Sequence, residues 1–304
     1  MSQKQFESDR LFLIGMILSM TCWGFSWTSG KILASYGSPL AVSALRFSLT
    51  FISLVFILPL LKTKLSIARS GLFDLFGAAI MISIYTFLFF KGLVTGKAGA
   101  GGVLVTVLNP IISYSIMLVM SRRRPTRAEA LGLLLGLAAG IILLKLLFEP
   151  ANVLNAGNVY FLFASFSWAI LSVFTSRASR YGQPLTFSFY MYGISTIIML
   201  VAAGLDNLNG VLDNSDLSFW LNLFFSATIT TSLATTFYFV ATSKIGASRA
   251  SSFIFLVPIS AALGSWFFLG EIPQSHTIIG GLLGIAAVYV LNQRSAKTTD
   301  KKLS

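Results

Sequence analysis

The chain has 304 residues, of which 55% are hydrophobic and only 11% charged, with a mean hydropathy of +0.81. Soluble domains carry about a quarter charged residues, so a single water-soluble core is excluded and an all-α membrane protein is expected. The net charge of +12 does not point to nucleic acid, because the basic residues lie in short links between apolar runs, where they set orientation in a bilayer.

Apolar runs of about 20 residues, the length that crosses ~30 Å of hydrocarbon, follow one another along the chain. Spans are predicted near 11–31, 39–61, 71–91, 97–120, 128–147, 156–176, 184–204, 217–240, 248–270 and 276–292. The first run is longer than a signal-peptide core and lacks a small-x-small cleavage site, so it reads as a retained span. Cys22, the one cysteine, lies inside it and has no partner for an intrachain disulfide. The longest internal polar stretch, 205–218, reads as a loop.

Threading ten spans puts seventeen of the 22 basic residues on one side. They are Lys4 and Arg10 before the first span, then Lys62, Lys64, Arg69, Arg122, Arg123, Arg124, Arg127, Arg177, Arg180, Lys244 and Arg249 in links. Arg294, Lys297, Lys301 and Lys302 follow the last span. The other side receives Lys31, Lys91, Lys97 and Lys145. This asymmetry predicts that both termini are cytoplasmic.

The chain resembles itself. Trp23, Gly37 and Pro39 recur as Trp168, Gly182 and Pro184, each 145 residues on. Pro110, Pro125, Gly132 and Gly136 recur as Pro258, Pro273, Gly280 and Gly284, each 148 residues on. Two repeats, 1–148 and 149–304, would each hold five spans. Five is odd, so the second copy enters the bilayer from the opposite side, giving inverted repeats. Such folds place substrate between the halves near the midplane.

Several stretches carry a family likeness: Thr21-Cys22-Trp23-Gly24, Ala44-Leu45-Arg46-Phe47, Asn109-Pro110, Val257-Pro258, and Leu269-Gly270-Glu271 followed by Gly280 and Gly284. In these the chain resembles the EamA-type members of the drug/metabolite transporter (DMT) superfamily over nearly its whole length. Arg122–Arg124 stand where the first repeat of that family usually carries Glu. The resemblance implies a ten-helix carrier of the bacterial inner membrane, often an exporter of amino acids or related compounds.

Charge inside a span is costly and marks candidate function. Arg46 lies seven residues into the second span, about 10 Å deep at 1.5 Å per residue. It can hold a carboxylate or phosphate through bidentate hydrogen bonds, or cap backbone carbonyls and snorkel. Its repeat counterpart is Met191. Lys91 is a second candidate, whereas Lys31, Lys97 and Lys145 read as snorkelling at span ends. Trp23 and Trp27 share a helix face, Trp168 repeats Trp23, and Tyr85 and Tyr238, with Tyr190 and Tyr192, also lie within spans. Aromatic rings there can stack on a planar substrate or hold a cation, or simply pack. Asn109 precedes a mid-span proline, where freed backbone carbonyls are tolerated beside a cavity. The glycines of the fifth and tenth spans read as close-packing scaffold.

A small-molecule substrate and a lipid bilayer are the expected partners, with no cofactor and no metal. Two fused halves make a monomer sufficient, though a dimer is open. A membrane enzyme is not expected, since the chain has one His, one Cys and no paired embedded carboxylates. A nucleotide-derivative carrier remains an alternative, because Arg46 and stacking rings serve it equally. A multidrug cation exporter is disfavoured by the absence of a mid-membrane Asp or Glu.

Overall fold

The computed structural model describes residues 3–122, 124–154, 157–238 and 253–300, with side chains described between positions 12 and 291. Arg123, Lys244, Arg249, Lys301, Lys302 and the first residues of the predicted ninth span lie outside these residues. The side chains of Lys4, Arg10, Arg294 and Lys297 lie outside the described side chains.

The described chain is helical throughout, apart from one isolated bridge. Its helices are α1 (Gln3–Leu33), α2 (Pro39–Leu60), α3 (Leu72–Thr95), α4 (Ala98–Met120), α5 (Arg127–Leu143), α6 (Asn158–Thr175) and α7 (Pro184–Ala203). They continue with α8 (Leu205–Asp213), α9 (Leu217–Phe224), α10 (Leu256–Leu269) and α11 (Ser275–Asp300). Among the described residues, seven segments are long and apolar enough to span a bilayer: Phe12–Leu33, Pro39–Leu60, Arg69–Thr95, Ala98–Met120, Asn158–Arg180, Pro184–Ala203 and Leu217–Tyr238. Phe253–Leu269 and Ser275–Leu291 are shorter apolar helices, and α5 has 17 residues.

Local chemistry fixes the ends. Pro39 occupies the first position of α2, where its missing N–H costs nothing, and Ser38 Oγ accepts from the Ala41 amide. Thr126 and Glu129 form a reciprocal capping box on α5. Both oxygens of Glu271 accept from the first amides of α4, Ala98 N at 3.2 Å and Gly99 N at 3.0 Å. A residue after α10 thereby caps another helix. Lys31 Nζ donates to Leu93 O at 2.6 Å and Gly96 O at 2.9 Å, closing the far end of α3. The snorkelling expected of Lys31 is thus replaced by a specific C-terminal cap, in keeping with the helix dipole. Lys145 pairs with Glu149 at 3.7 Å.

The stretch 205–218, read as a loop, contains the helix α8. Its sequence is polar overall, but Leu208 and Val211 fall on one face and are buried, which is enough to hold a short helix against α2 and α7. Pro258, expected mid-span, sits in the first turn of α10 after a short 3-10 stretch, Phe253–Phe255. Pro110 lies inside α4 as expected.

The most extensive packing pairs α5 with α11, α3 with α6, α1 with α10 and α2 with α7. Helix α4 lies against both α6 and α10, and the α9 segment against α1 and α2. Glycine permits the α4–α5–α11 contact: a Cβ on Gly284 would fall 2.1 Å from Val107, and one on Gly136 2.4 Å from Ile111. The outer surface carries large apolar side chains such as Phe56, Val119, Val201 and Phe267, the surface a lipid environment requires.

Beyond α9 the chain continues as a π-helix, Phe225–Ala234. Its hydroxyls bond five residues back: Thr231 Oγ1 to Ser226 O at 2.7 Å and Ser232 Oγ to Ala227 O at 3.0 Å. Long π stretches are rare and collect at functional sites.

Candidate functional site

Arg46 projects from α2 toward this π segment. Its Nη2 donates to Thr231 Oγ1 at 3.1 Å. Its Cζ lies 5.5 Å from the Phe89 ring centroid and 5.9 Å from that of Phe90, within cation–π range. Tyr85 and Tyr192 stand within electrostatic reach of it. Its Nε is buried and has no hydrogen-bond partner. Among the described residues no carboxylate pairs with it. Met191, the residue 145 positions on, is buried, so the charge is contributed by one half of the sequence alone.

Aromatic rings connect the guanidinium to a larger cluster. Phe89 packs on Trp27 at 4.7 Å between centroids and on Tyr85 at 6.1 Å. Tyr85 meets Trp168 edge-on at 4.7 Å, and Trp27 meets Phe161 at 5.8 Å. Trp27 is buried, and Gly102 of α4 leaves room for its indole, with 3.1 Å from a built Cβ to the ring. Helices α1, α2, α3, α6 and α9 thus converge on one polar-aromatic centre.

Of the eight residues singled out from sequence, Arg46, Trp27, Tyr85 and Trp168 belong to this connected cluster. Trp23 pairs with Tyr238 at 5.4 Å. Asn109 stands two turns along α4 from Gly102, on the same side of the helix, and its Oδ1 is buried without a hydrogen bond. Lys91 is half-buried on α3, next in sequence to Phe90. Tyr190, also weighed, donates instead to Leu65 O at 2.8 Å near a helix end.

Sequence reasoning missed Thr231, Phe89 and Phe90. The run Ser226-Ala227-Thr228-Ile229-Thr230-Thr231-Ser232 was the available signal: seven residues with five hydroxyls inside a span. Orphaned buried oxygens sit close by in sequence, on Ser226 and Thr236, and also on Thr28 of α1. A centre with one cation lacking a carboxylate partner among the described residues, nearby hydroxyls and edge-packed aromatic rings can hold a small amphipathic anion. Among the described residues no His/Cys/Asp/Glu group has metal-site spacing.

The EamA-like transporter family model matches residues 10–145 and again 155–293. The chain belongs to that family and is a membrane transporter of the DMT class. It is 24% identical over 277 residues to the Uncharacterized transporter YyaM of Bacillus subtilis (strain 168), covering 87% of this chain and 88% of that one. It is 40% identical over 58 residues, 19% of each chain, to the "Probable terminal-alkyne amino-acid exporter" of Streptantibioticus cattleyicolor. A protein of known crystal structure shares the fold with a TM-score of 0.62 at 17% identity, over 91% of this chain and 95% of that chain.

Proposed function

We propose that this protein exports amino acids or closely related carboxylates by alternating access, with Arg46 receiving the substrate carboxylate. The observation that carries the reading is the unneutralised guanidinium. A cation inside a span without an anion costs free energy, and a structure keeps that cost where a ligand offsets it; Arg46 is half-buried, with its Nε fully so. The π-helical hydroxyls supply further hydrogen bonds, and Trp27, Tyr85 and Trp168 supply rings for the apolar part of the substrate. Asn109 contributes a free amide oxygen suited to an ammonium group, with Trp23, Tyr238 and Lys91 on the route to the site. The short match to an amino-acid exporter supports this substrate class.

The reading includes ten spans in two inverted five-helix repeats, 1–148 and 149–304. Three findings support it. The same family model matches the chain twice. The residue recurrences keep two steady offsets. The helix pairing also survives exchange of the two halves: α3 with α6 answers α1 with α9, and α4 with α6 answers α1 with α10. The basic asymmetry favours both termini in the cytoplasm of a bacterial inner membrane, and one chain supplies the whole pathway.

Counterflow in proteoliposomes tests the substrate class. Vesicles preloaded with one amino acid from a side-chain panel should accumulate its radiolabelled form transiently. Failure across the whole panel, with protein correctly inserted, would remove amino acids from the account.

A further inference from the structure

Tyr36-Gly37-Ser38-Pro39 links α1 to α2, and Tyr181-Gly182-Gln183-Pro184 links α6 to α7, with 145 residues between equivalents. Tyr36 donates its hydroxyl to Asp216 Oδ1 at 2.6 Å. Tyr181 donates its hydroxyl to Asp74 Oδ2 at 2.5 Å. Asp216 is the N-cap of α9, accepting from Phe219 N, and Asp74 lies in the first turn of α3. The neighbouring glycines correspond as well. A Cβ on Gly37 would meet Val211 at 2.4 Å, and one on Gly182 would meet Ser66 O at 2.7 Å. Val211 and Ser66 are themselves 145 residues apart. Each tyrosine motif therefore clamps the segment that leads into a long helix of the other half.

The two clamps sit at opposite ends of α2, whose 22 residues span about 33 Å at 1.5 Å per residue. On the ten-span reading above, the two lie on opposite faces of the membrane. We propose that Tyr36–Asp216 and Tyr181–Asp74 are matched latches, and that release of one at a time opens the corresponding mouth to the central site. This inference rests on the alternating-access reading above. A hydroxyl on a carboxylate is among the stronger hydrogen bonds; the Tyr36–Asp216 bond is exposed, where solvent can replace the partner, whereas Asp74 is buried and its bond to Tyr181 only partly so. Such a bond can hold a closed state and still release.

The latches are unequal. Arg177 adds an ion pair to Asp74 at 3.3 Å. Around Tyr181 the links are further joined by Ala68 N to Tyr181 O at 2.8 Å and Thr186 Oγ1 to Lys64 O at 2.6 Å. On the other face the Tyr36 ring rests on Phe219 at 5.1 Å. The Tyr36 mouth is the weaker and opens first.

Electron–electron distance measurements between spin labels test this in the full chain, in lipid nanodiscs, on a Cys22→Ser background. Labels at Ser35→Cys and Asn214→Cys span the Tyr36 mouth. Labels at Lys64→Cys and Ser179→Cys span the Tyr181 mouth. Tyr36→Phe keeps the ring on Phe219 and removes only the hydroxyl. It should raise the long-to-short population ratio across 35/214 by roughly fivefold or more without widening 64/179. Tyr181→Phe should do the reverse, and Arg177→Gln should widen 64/179 without touching either tyrosine. If wild type exchanges between two distance populations at each mouth but neither tyrosine variant shifts them, or both variants widen the same mouth, the latches are refuted and alternation stands. If neither mouth shows a second population in any variant, alternation falls and the latches with it.

Discussion

Arg46 Nη2 and Thr231 Oγ1 stand 3.1 Å apart, joining a half-buried cation on α2 to a π-helical turn 185 residues away in sequence. The hydroxyl is a neutral acceptor and already donates to Ser226 O. The guanidinium is oriented by this contact and not neutralised by it. Cation–π contacts to Phe89 and Phe90 stabilise it by about 1 kcal/mol each, less than the cost of burying the charge. The protein therefore holds a fixed positive charge, its buried Nε without a hydrogen bond, where five helices meet.

Replacing Arg46 with the residue its repeat counterpart carries, Arg46→Met, should leave the fold intact or stabilise it. Exchanging an unpaired, half-buried charge inside a span for an apolar side chain of similar length is neutral or favourable by ~1–3 kcal/mol. Thermal unfolding in detergent should show an equal or higher midpoint, together with loss of carboxylate-substrate transport. A marked drop in midpoint would mean that Arg46 acts as a structural staple.

Glu271 is expected to matter for stability and not for substrate recognition. Its carboxylate satisfies two amides of α4, and losing such a cap costs ~1–2 kcal/mol. Glu271→Ala should lower the unfolding midpoint, and Glu271→Gln should recover part of it through one remaining oxygen. The apparent substrate affinity of the folded fraction should be unchanged in both.

Asp216 gives a pH signature. The Tyr36 hydroxyl, then the Phe219 amide, hold its carboxyl below the ordinary carboxylate range, and the same bond pushes the Tyr36 phenol up, so the phenol stays a donor. A depressed acid stabilises the fold above its unfolded pKa and loses that contribution as pH falls through its folded pKa. The midpoint difference between wild type and Asp216→Asn should be present at neutral pH and close in the acid range, below about pH 4. A difference that widens with acid would contradict the assignment.

The sequence carried much of this fold in plain view. Pro39 and Pro184 start their helices as their positions predict, because proline is at home in a first turn and nowhere deeper without cost. The place of Arg46 two turns into α2 followed from counting residues into an apolar run. Other features have no sequence period to read. The π-helix shifts bonding by one residue without altering composition, so Thr231 looked like any hydroxyl in a span. In α8 two buried side chains, Leu208 and Val211, anchor a helix that polar neighbours disguise as a loop. Lys31 lies at a span end whether it snorkels or caps α3, and only the position of α3's last carbonyls decides.

The central claim is that Arg46 recognises a carboxylate. Counterflow should be compared for an amino acid that the wild-type protein carries and for the amine of the same side chain lacking the carboxylate, in wild type and in Arg46→Ala. The account predicts that wild type carries the amino acid and not the amine, and that Arg46→Ala reduces amino-acid counterflow at least about a hundredfold, the loss of a charged pair worth ~3 kcal/mol. Equal counterflow of acid and amine in wild type, or full amino-acid counterflow in Arg46→Ala, would contradict it.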